Sequence, residues 1–221
     1  MRNLMLLPLL LLSGCVSVVG TTVTTRTARA PTGELCVLDF GAVADGETDE
    51  TRAFQNALDA AAERGTAVHV PPAQYRFEGT LIIPDNVTLE GVWRAPVRGM
   101  PPTYGSVLLP TAGQGDAAAT PFLRMGSSAV LKGVTIFYPE QVRANPPLAY
   151  PWTVQSHGPT DNLTLLDVTM VNPYLAVDLG TYPAGRHYVR NLYGYPLRKG
   201  LYINQCYDVG RLENIHFWPF W

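Results

Sequence analysis

Charge is scarce in this chain. Lys, Arg, Asp and Glu make up 15% of the 221 residues, the formal net charge is −2, and no basic run occurs anywhere. That removes the electrostatic footprint of a nucleic-acid-binding protein. A hydrophobic content of 47% also separates the chain from disordered sequences, because it can bury a core. An anionic polymer would gain nothing from the global field and would have to be met by individual Arg and Lys side chains. There are only four histidines and three cysteines, and neither type falls at metal-ligand spacing, so no zinc site is expected. The apolar run at residues 4–12 is nine residues long, well short of the roughly 20 that a membrane-spanning helix needs.

Glycine (20) and proline (19) are plentiful, as in folds built from short strands and many turns. Met1-Arg2-Asn3 gives a weakly positive start before the apolar run, which is the length of a signal-peptide core. The run ends in Leu12-Ser13-Gly14-Cys15, which resembles the lipobox of bacterial lipoproteins. On that resemblance residues 1–14 are a lipoprotein signal peptide, Cys15 is the lipidation site and residues 15–33, small and polar, are a tether. The protein is then exported and held by a lipid anchor in the cell envelope, at the outer membrane or cell surface of a bacterium. The other reading is an ordinary secretory signal with an incidental cysteine. Cys36 and Cys206 fall in segments placed at opposite ends of the domain, so two buried thiols are expected in preference to a disulfide.

The folded part, residues 34–221, opens with a short strand, the turn pair Asp45-Gly46 and a helix signal. Thr48 or Asp49 is placed to cap a helix running to Arg64, with Gly65 just past its end. Ala53, Phe54, Ala57, Leu58 and Ala61 recur at the spacing of one helical face. A strand follows over residues 67–70 and ends in Pro71-Pro72. The string Asp39-Phe40-Gly41-Ala42, with Asp45-Gly46, Thr48-Asp49, Thr51, Ala53, Gln55 and Ala57, and the continuation Val68-His69-Val70-Pro71-Pro72 to Tyr75, resembles the opening motif of the pectate-lyase-like superfamily. The resemblance implies an all-β solenoid, a right-handed single-stranded parallel β-helix whose end is capped by an N-terminal α-helix. Ala73-Gln74 departs from it, since a glycine usually precedes the tyrosine. The motif identifies a fold and contains no catalytic group.

Internal repetition points the same way. The form apolar, any, small or Asn/Asp, apolar occurs at Leu89-Glu-Gly-Val92, Leu131-Lys-Gly-Val134, Leu165-Leu-Asp-Val168, Val189-Arg-Asn-Leu192 and Leu212-Glu-Asn-Ile215. The intervals are 42, 34, 24 and 23 residues. The two longer ones hold Pro/Gly-rich excursions at residues 94–110 and 139–151, read as loops leaving the coil. A second apolar track precedes each repeat, at residues 122–125, 153–155, 175–178 and 201–204. Each coil is therefore expected to supply at least two short strands, stacked on the next coil about 4.8 Å away. The small or Asn/Asp position marks the bend, and Asn191 and Asn214 are candidates for stacked side-chain amides.

The resemblance implies activity on an extracellular, pectin-like polysaccharide, as part of a polysaccharide lyase or glycoside hydrolase. The signatures of polygalacturonase-type hydrolases (Asn-Thr-Asp, Asp-Asp, Gly-His-Gly) are absent, and no dense carboxylate cluster suits Ca²⁺, which only a lyase would require. Residues 216–221 form an apolar strand with no closing element, so the chain is expected to be truncated at its C-terminus and the catalytic set to lie beyond residue 221. The alternative is a non-catalytic, glycan-binding or structural surface protein; a phage-type tailspike is disfavoured by the export signal. Candidate sugar contacts are Trp218, Trp221 and Trp152, flat rings suited to the apolar faces of sugars, together with Tyr150. His216, alternating with Ile215 and Phe217, is expected to point onto a face. Arg198, beside Lys199, is a candidate for a sugar carboxylate, and Asp208 is a candidate substrate contact. Asp208, Asp161 and Asp178 equally suit solvated turns.

Overall fold

Strands pair where the sequence repeats. The computed structural model describes residues 33–97, 101–142 and 144–218; the expected signal peptide, Cys15 and Trp221 lie outside them, as does all but Gly33 of the tether. Leu35, Val68, Leu89, Leu131, Leu165, Val189 and Leu212 stand in one parallel register across seven strands. A second parallel sheet stacks Leu81, Leu123, Val154, Val177 and Leu201 in the same way. The chain is a parallel β-helix, and the members of both columns are buried except Leu35 and Leu201, which are partly buried against the core, and Leu212.

The four longer strands of the first sheet, Val130–Phe137, Thr164–Val171, Tyr188–Gly194 and Arg211–Phe217, are bent in the middle. The bend falls at Gly133, Asp167, Asn191 and Asn214, all with φ between 54° and 70°. This left-handed backbone costs most residues energy, and Gly, Asn and Asp tolerate it best. The side chains there form a ladder: Asn214 Nδ2 donates to Asn191 Oδ1 (2.7 Å) and Asn191 Nδ2 donates to Asp167 Oδ1 (2.6 Å). The expected amide stacking is thus present, extended by an aspartate. Beneath it Gly133 is obligatory, since a Cβ there would sit 2.5 Å from the carbonyl oxygen of Gly91.

The helix Thr51–Arg64 caps one end, burying Phe54, Ala57, Leu58 and Ala61. Phe54 meets Tyr75 and Phe77 edge-on at 5.1 and 4.9 Å between ring centres, and Gly65 closes the helix in the left-handed conformation. Its N-terminus differs from expectation. The capping position is Glu50, which has no side-chain bond to the helix. Its buried carboxylate instead accepts the Val43 and Ala44 amides, both at 2.8 Å. Asp49 accepts the Thr51 amide from one residue further out and also that of Glu78, fastening the cap to the next coil.

The excursion expected at residues 94–110 ends earlier, at Gly105. Ser106–Pro110 is a fully buried strand paired with both Ala73–Phe77 and Val130–Phe137; its terminal Pro110 disguises a Val-Leu-Leu core. Among the described residues no helix is long and apolar enough to cross a membrane. Cys36 and Cys206 are free, as expected, but only Cys36 is buried; Cys206 is half-exposed and donates to the Asp208 carbonyl at 3.0 Å.

Because Asn191 both bends the strand and bonds above and below, its loss has two separable parts. Asn191→Gly keeps the left-handed backbone and removes the ladder, and is expected to cost about 1–2 kcal/mol. Asn191→Ala adds the backbone penalty, for about 2–4 kcal/mol in total. Urea unfolding of the three proteins checks the order, which equal losses in the two variants would contradict.

Candidate glycan-binding face

Past the bend, each long strand turns one alternating set of side chains outward. Thr135, Thr169, Tyr193 and His216 share a register across four successive coils. A second row follows two residues on: Phe137 is paired with Val171, and Tyr195 and Trp218 continue the ladder through amide bonds to Met170 and Gly194. These two rows are the floor of the site.

The roof comes from residues 92–97 and 101–105 of the excursion. Its neck is clamped by Ser106, whose hydroxyl accepts the Val92 amide (2.8 Å) and donates to the Val70 carbonyl (2.7 Å). The Ser106 amide donates to the Val92 carbonyl at 2.9 Å. The excursion then leans over the floor, and the Trp93 indole donates to the Thr169 hydroxyl at 2.8 Å. Between roof and floor lies a cavity of about 420 Å³, lined by Pro101, Pro102 and Tyr104 above and by Phe137, Val171 and Tyr195 below. Its size falls in the range of small-molecule sites. Arg94 and Tyr104 also border a second cavity on the other side of the roof, with Asp45 and Gln74.

Rings continue the floor beyond the roof. Trp93 lies 5.9 Å from Tyr193, and Tyr193 is stacked on Trp218 at 6.0 Å with 25° between the ring planes. Trp218 also meets Tyr195 at 5.3 Å and His216 at 4.1 Å. The Tyr193 hydroxyl is held by the Asn214 amide at 2.8 Å, so the bend ladder also fixes this platform.

The first cavity is weakly charged. Among the described residues that line it, Arg94 is the one cation and none is Asp or Glu. Asn172, 1% exposed and left-handed at φ 58°, borders it with an Oδ1 that has no hydrogen-bond partner. A buried unpaired acceptor costs about 1–3 kcal/mol. Among the described residues no three His, Cys, Asp or Glu side chains converge in a manner suited to a metal ion.

The residues expected from sequence are divided between faces. Trp218 and His216 stand on the floor described above, and His216 is exposed. Trp152 lies on the second sheet, stacked on Tyr202 at 6.3 Å with the Lys199 ammonium 5.9 and 5.7 Å from the two ring centres. Arg198 is exposed beside it. Asp208 sits at a turn 3.6 Å from Arg186, which also pairs with Asp161 at 3.0 Å. The Arg186 guanidinium, followed by the Tyr207 hydroxyl, holds the Asp161 carboxyl below its ordinary range. Asp178 is not a solvated turn residue: it is fully buried, accepts from Gly180, Thr181 and Gln155, and ties two coils together. Tyr150 is likewise buried, against Tyr138, so it offers no platform. Trp93, Tyr193, Tyr195 and Asn172 were not anticipated. The alternation Leu192-Tyr193-Gly194-Tyr195 is the signal that marks the two tyrosines as outward.

Residues 35–104 match the family described as rhamnogalacturonase A/epimerase, pectate lyase-like. The tail spike protein of Shigella phage Sf6 is 38% identical over 81 residues, 34% of this chain and 13% of that protein. Alginate lyase 7 of Azotobacter vinelandii is 44% identical over 66 residues, 26% of this chain and 8% of the relative. Among solved structures, the A-module of the mannuronan C-5 epimerase AlgE6 of A. vinelandii superposes with a TM-score of 0.55 at 18% identity, covering 81% of this chain and 56% of that one. An iota-carrageenase complexed to iota-carrageenan fragments also scores 0.55, at 13% identity, over 83% and 40% of the two chains. The chain thus spans a small part of the curated relatives it matches.

An indole hydrogen bond ties the roof to the floor. Thr169→Val removes its acceptor and is expected to loosen the excursion by about 1 kcal/mol, roughly a fivefold faster tryptic cut at exposed Arg94. Limited proteolysis read by mass spectrometry checks this, with the melting temperature near wild type; an unchanged rate would mean that other contacts hold the roof.

Proposed function

We propose that this chain supplies polysaccharide-holding coils of a carbohydrate-active β-helix protein, with the sugar chain lying across the coils on the Thr135–Thr169–Tyr193–His216 face. The observation that carries the proposal is the run of rings Trp93, Tyr193 and Trp218 leading into a roofed groove. Sugar rings have apolar C–H faces, and half-buried aromatic planes fixed by hydrogen bonds receive them at little ordering cost. The names of the relatives support the substrate class: alginate lyase, mannuronan epimerase and carrageenase are polysaccharide-active proteins. The tail spike likeness covers a similarly short stretch and adds no activity.

The full protein is read as a lyase, an epimerase or a hydrolase, with its acid–base groups outside this groove. A non-catalytic surface protein is the second reading, favoured by a groove whose described lining residues include no carboxylate. Binding to alginate, pectin and carrageenan, followed by tryptophan fluorescence, tests the site itself. Trp93→Ala and Trp218→Ala are each expected to weaken binding roughly five- to thirty-fold. Equal affinity in both variants would remove the face from consideration. Shortened or unsaturated products, with or without added Ca²⁺, separate the enzyme from the binder.

The proposal extends to placement: export through residues 1–14 and lipid attachment at Cys15, supported by the Leu12-Ser13-Gly14-Cys15 string. In a bacterial host, Cys15→Ser is expected to abolish labelling by radioactive palmitate and to move the protein out of the membrane fraction. Retention of the label would place the lipid on another residue, and an unlabelled wild-type protein would remove the anchor.

A further inference from the structure

Resting on the glycan-binding reading, we infer that the ring platform takes an acidic sugar, with His216 as the residue that selects its negative charge. Of the eight side chains in the two outward rows past the bend, His216 alone can become a cation, and none is Asp or Glu. Its imidazole lies 4.1 Å from the Trp218 ring and 6.2 Å from the Tyr193 ring, and the side chain is exposed. Among the described residues its ring nitrogens have no hydrogen-bond partner. At the other end of the ring run, Arg94 follows Trp93, donates to its carbonyl at 3.1 Å and is exposed. The run Trp93, Tyr193, Trp218 thus has a guanidinium at one end and an imidazole at the other.

The nearby carboxylates are engaged elsewhere. On the same strand Glu213 precedes the bend, where it accepts the Tyr188 hydroxyl at 2.9 Å and lies 3.6 Å from the Arg211 guanidinium. On the neighbouring strand the charged residue is Arg190, in register with Glu213 and exposed. One coil further on, Asp167 accepts from Asn191 at the bend. A sugar stacked on Trp218 brings its ring substituents to the edge of that ring, where His216 stands. A hydroxyl gains an ordinary hydrogen bond there, whereas a carboxylate or sulfate on a cationic imidazole gains a charge-assisted one, roughly twice as strong. The two neighbouring ring faces also favour the cationic form. Histidine is the side chain that changes charge between about pH 5 and pH 8, so the preference for acidic over neutral sugar grows as the pH falls. A sugar carboxylate stays ionised across that range, as does a sulfate, so the polymer adds no step of its own.

The experiment is isothermal titration of the intact protein with alginate, iota-carrageenan and a neutral β-glucan, at low ionic strength and at about pH 5 and pH 8. At least one acidic polymer is expected to bind about fivefold more tightly at the lower pH, and the neutral glucan equally at both. The polymer that shows the step identifies the anion as carboxylate or sulfate. His216→Gln is expected to bind that polymer at both pH values with the wild-type affinity of pH 8. His216→Arg, charged throughout, is expected to keep the tighter affinity at both. The other three histidines lie off this platform: His69 pairs with Glu90 before the bend, His157 follows a strand of the second sheet, and His187 is buried. A pH step that survives in both variants therefore overturns the inference, as does a neutral glucan that binds as tightly as both acidic polymers at pH 5. In either case the glycan-binding reading stands where Trp218→Ala weakens every polymer. Failure of every polymer to bind overturns both.

Discussion

One left-handed residue per coil organises the face on which the proposed site stands. In an extended strand, positions three apart point to opposite sides. Leu165 and Val168 are three apart, yet both are fully buried, as are Leu131 with Val134 and Val189 with Leu192. The residue between that takes positive φ, Gly133, Asp167 or Asn191, resets the alternation. After it, Val168 and Met170 face in while Thr169 and Val171 face the groove. Had these strands run straight, the second half of each would have turned its apolar set to water. The bend therefore decides which side chains form the core and which form the floor.

The ladder that stabilises the bend also reaches the platform. Asn214 bonds Asn191 on the neighbouring coil and the Tyr193 hydroxyl on the floor. A ring held at both its backbone and its hydroxyl has little freedom left to lose when a ligand stacks on it. The roof is held by comparable means. Gly105 allows the neck to close, since a Cβ there would lie 2.2 Å from the Val92 carbonyl oxygen. Ser106 satisfies two backbone groups at once, and Trp93 is fixed by a hydroxyl on the floor. Local turn chemistry thus converts a proline-rich insertion into one wall of a groove.

The solenoid was legible because its repeat has a physical meaning that short windows display: two apolar positions flanking one that can bend. The pairing of Leu89, Leu131, Leu165, Val189 and Leu212 follows that reading residue for residue. The site was legible only in part. Trp218 and His216 lie on a regular strand and its continuation, where alternation assigns a side. Trp93 and Asn172 lie outside any strand, and their positions depend on where an excursion lands and what surrounds a turn, which local patterns do not encode. Asp178 shows the same limit: its bonds to Gly180 and Thr181 are an ordinary aspartate turn, but its burial comes from neighbouring coils. Tyr150, in a proline-rich stretch that reads as surface, is buried because Tyr138 and the excursion close over the core.

A site assembled from one residue per coil inherits the energetics of stacking. In a solenoid, stability is a sum of coil and nearest-neighbour terms, so the floor is firmest where both neighbours are present. Thr135 and Thr169 belong to strands paired on both sides, and the core residues beneath them are fully buried. The roofed groove therefore rests on strands paired on both sides. Rigid, shaped surface favours discrimination between ligands, because misfit groups stay unpaired. On the proposed reading, shape selectivity falls to the roofed groove and stacking affinity to the Tyr193–Trp218 rings.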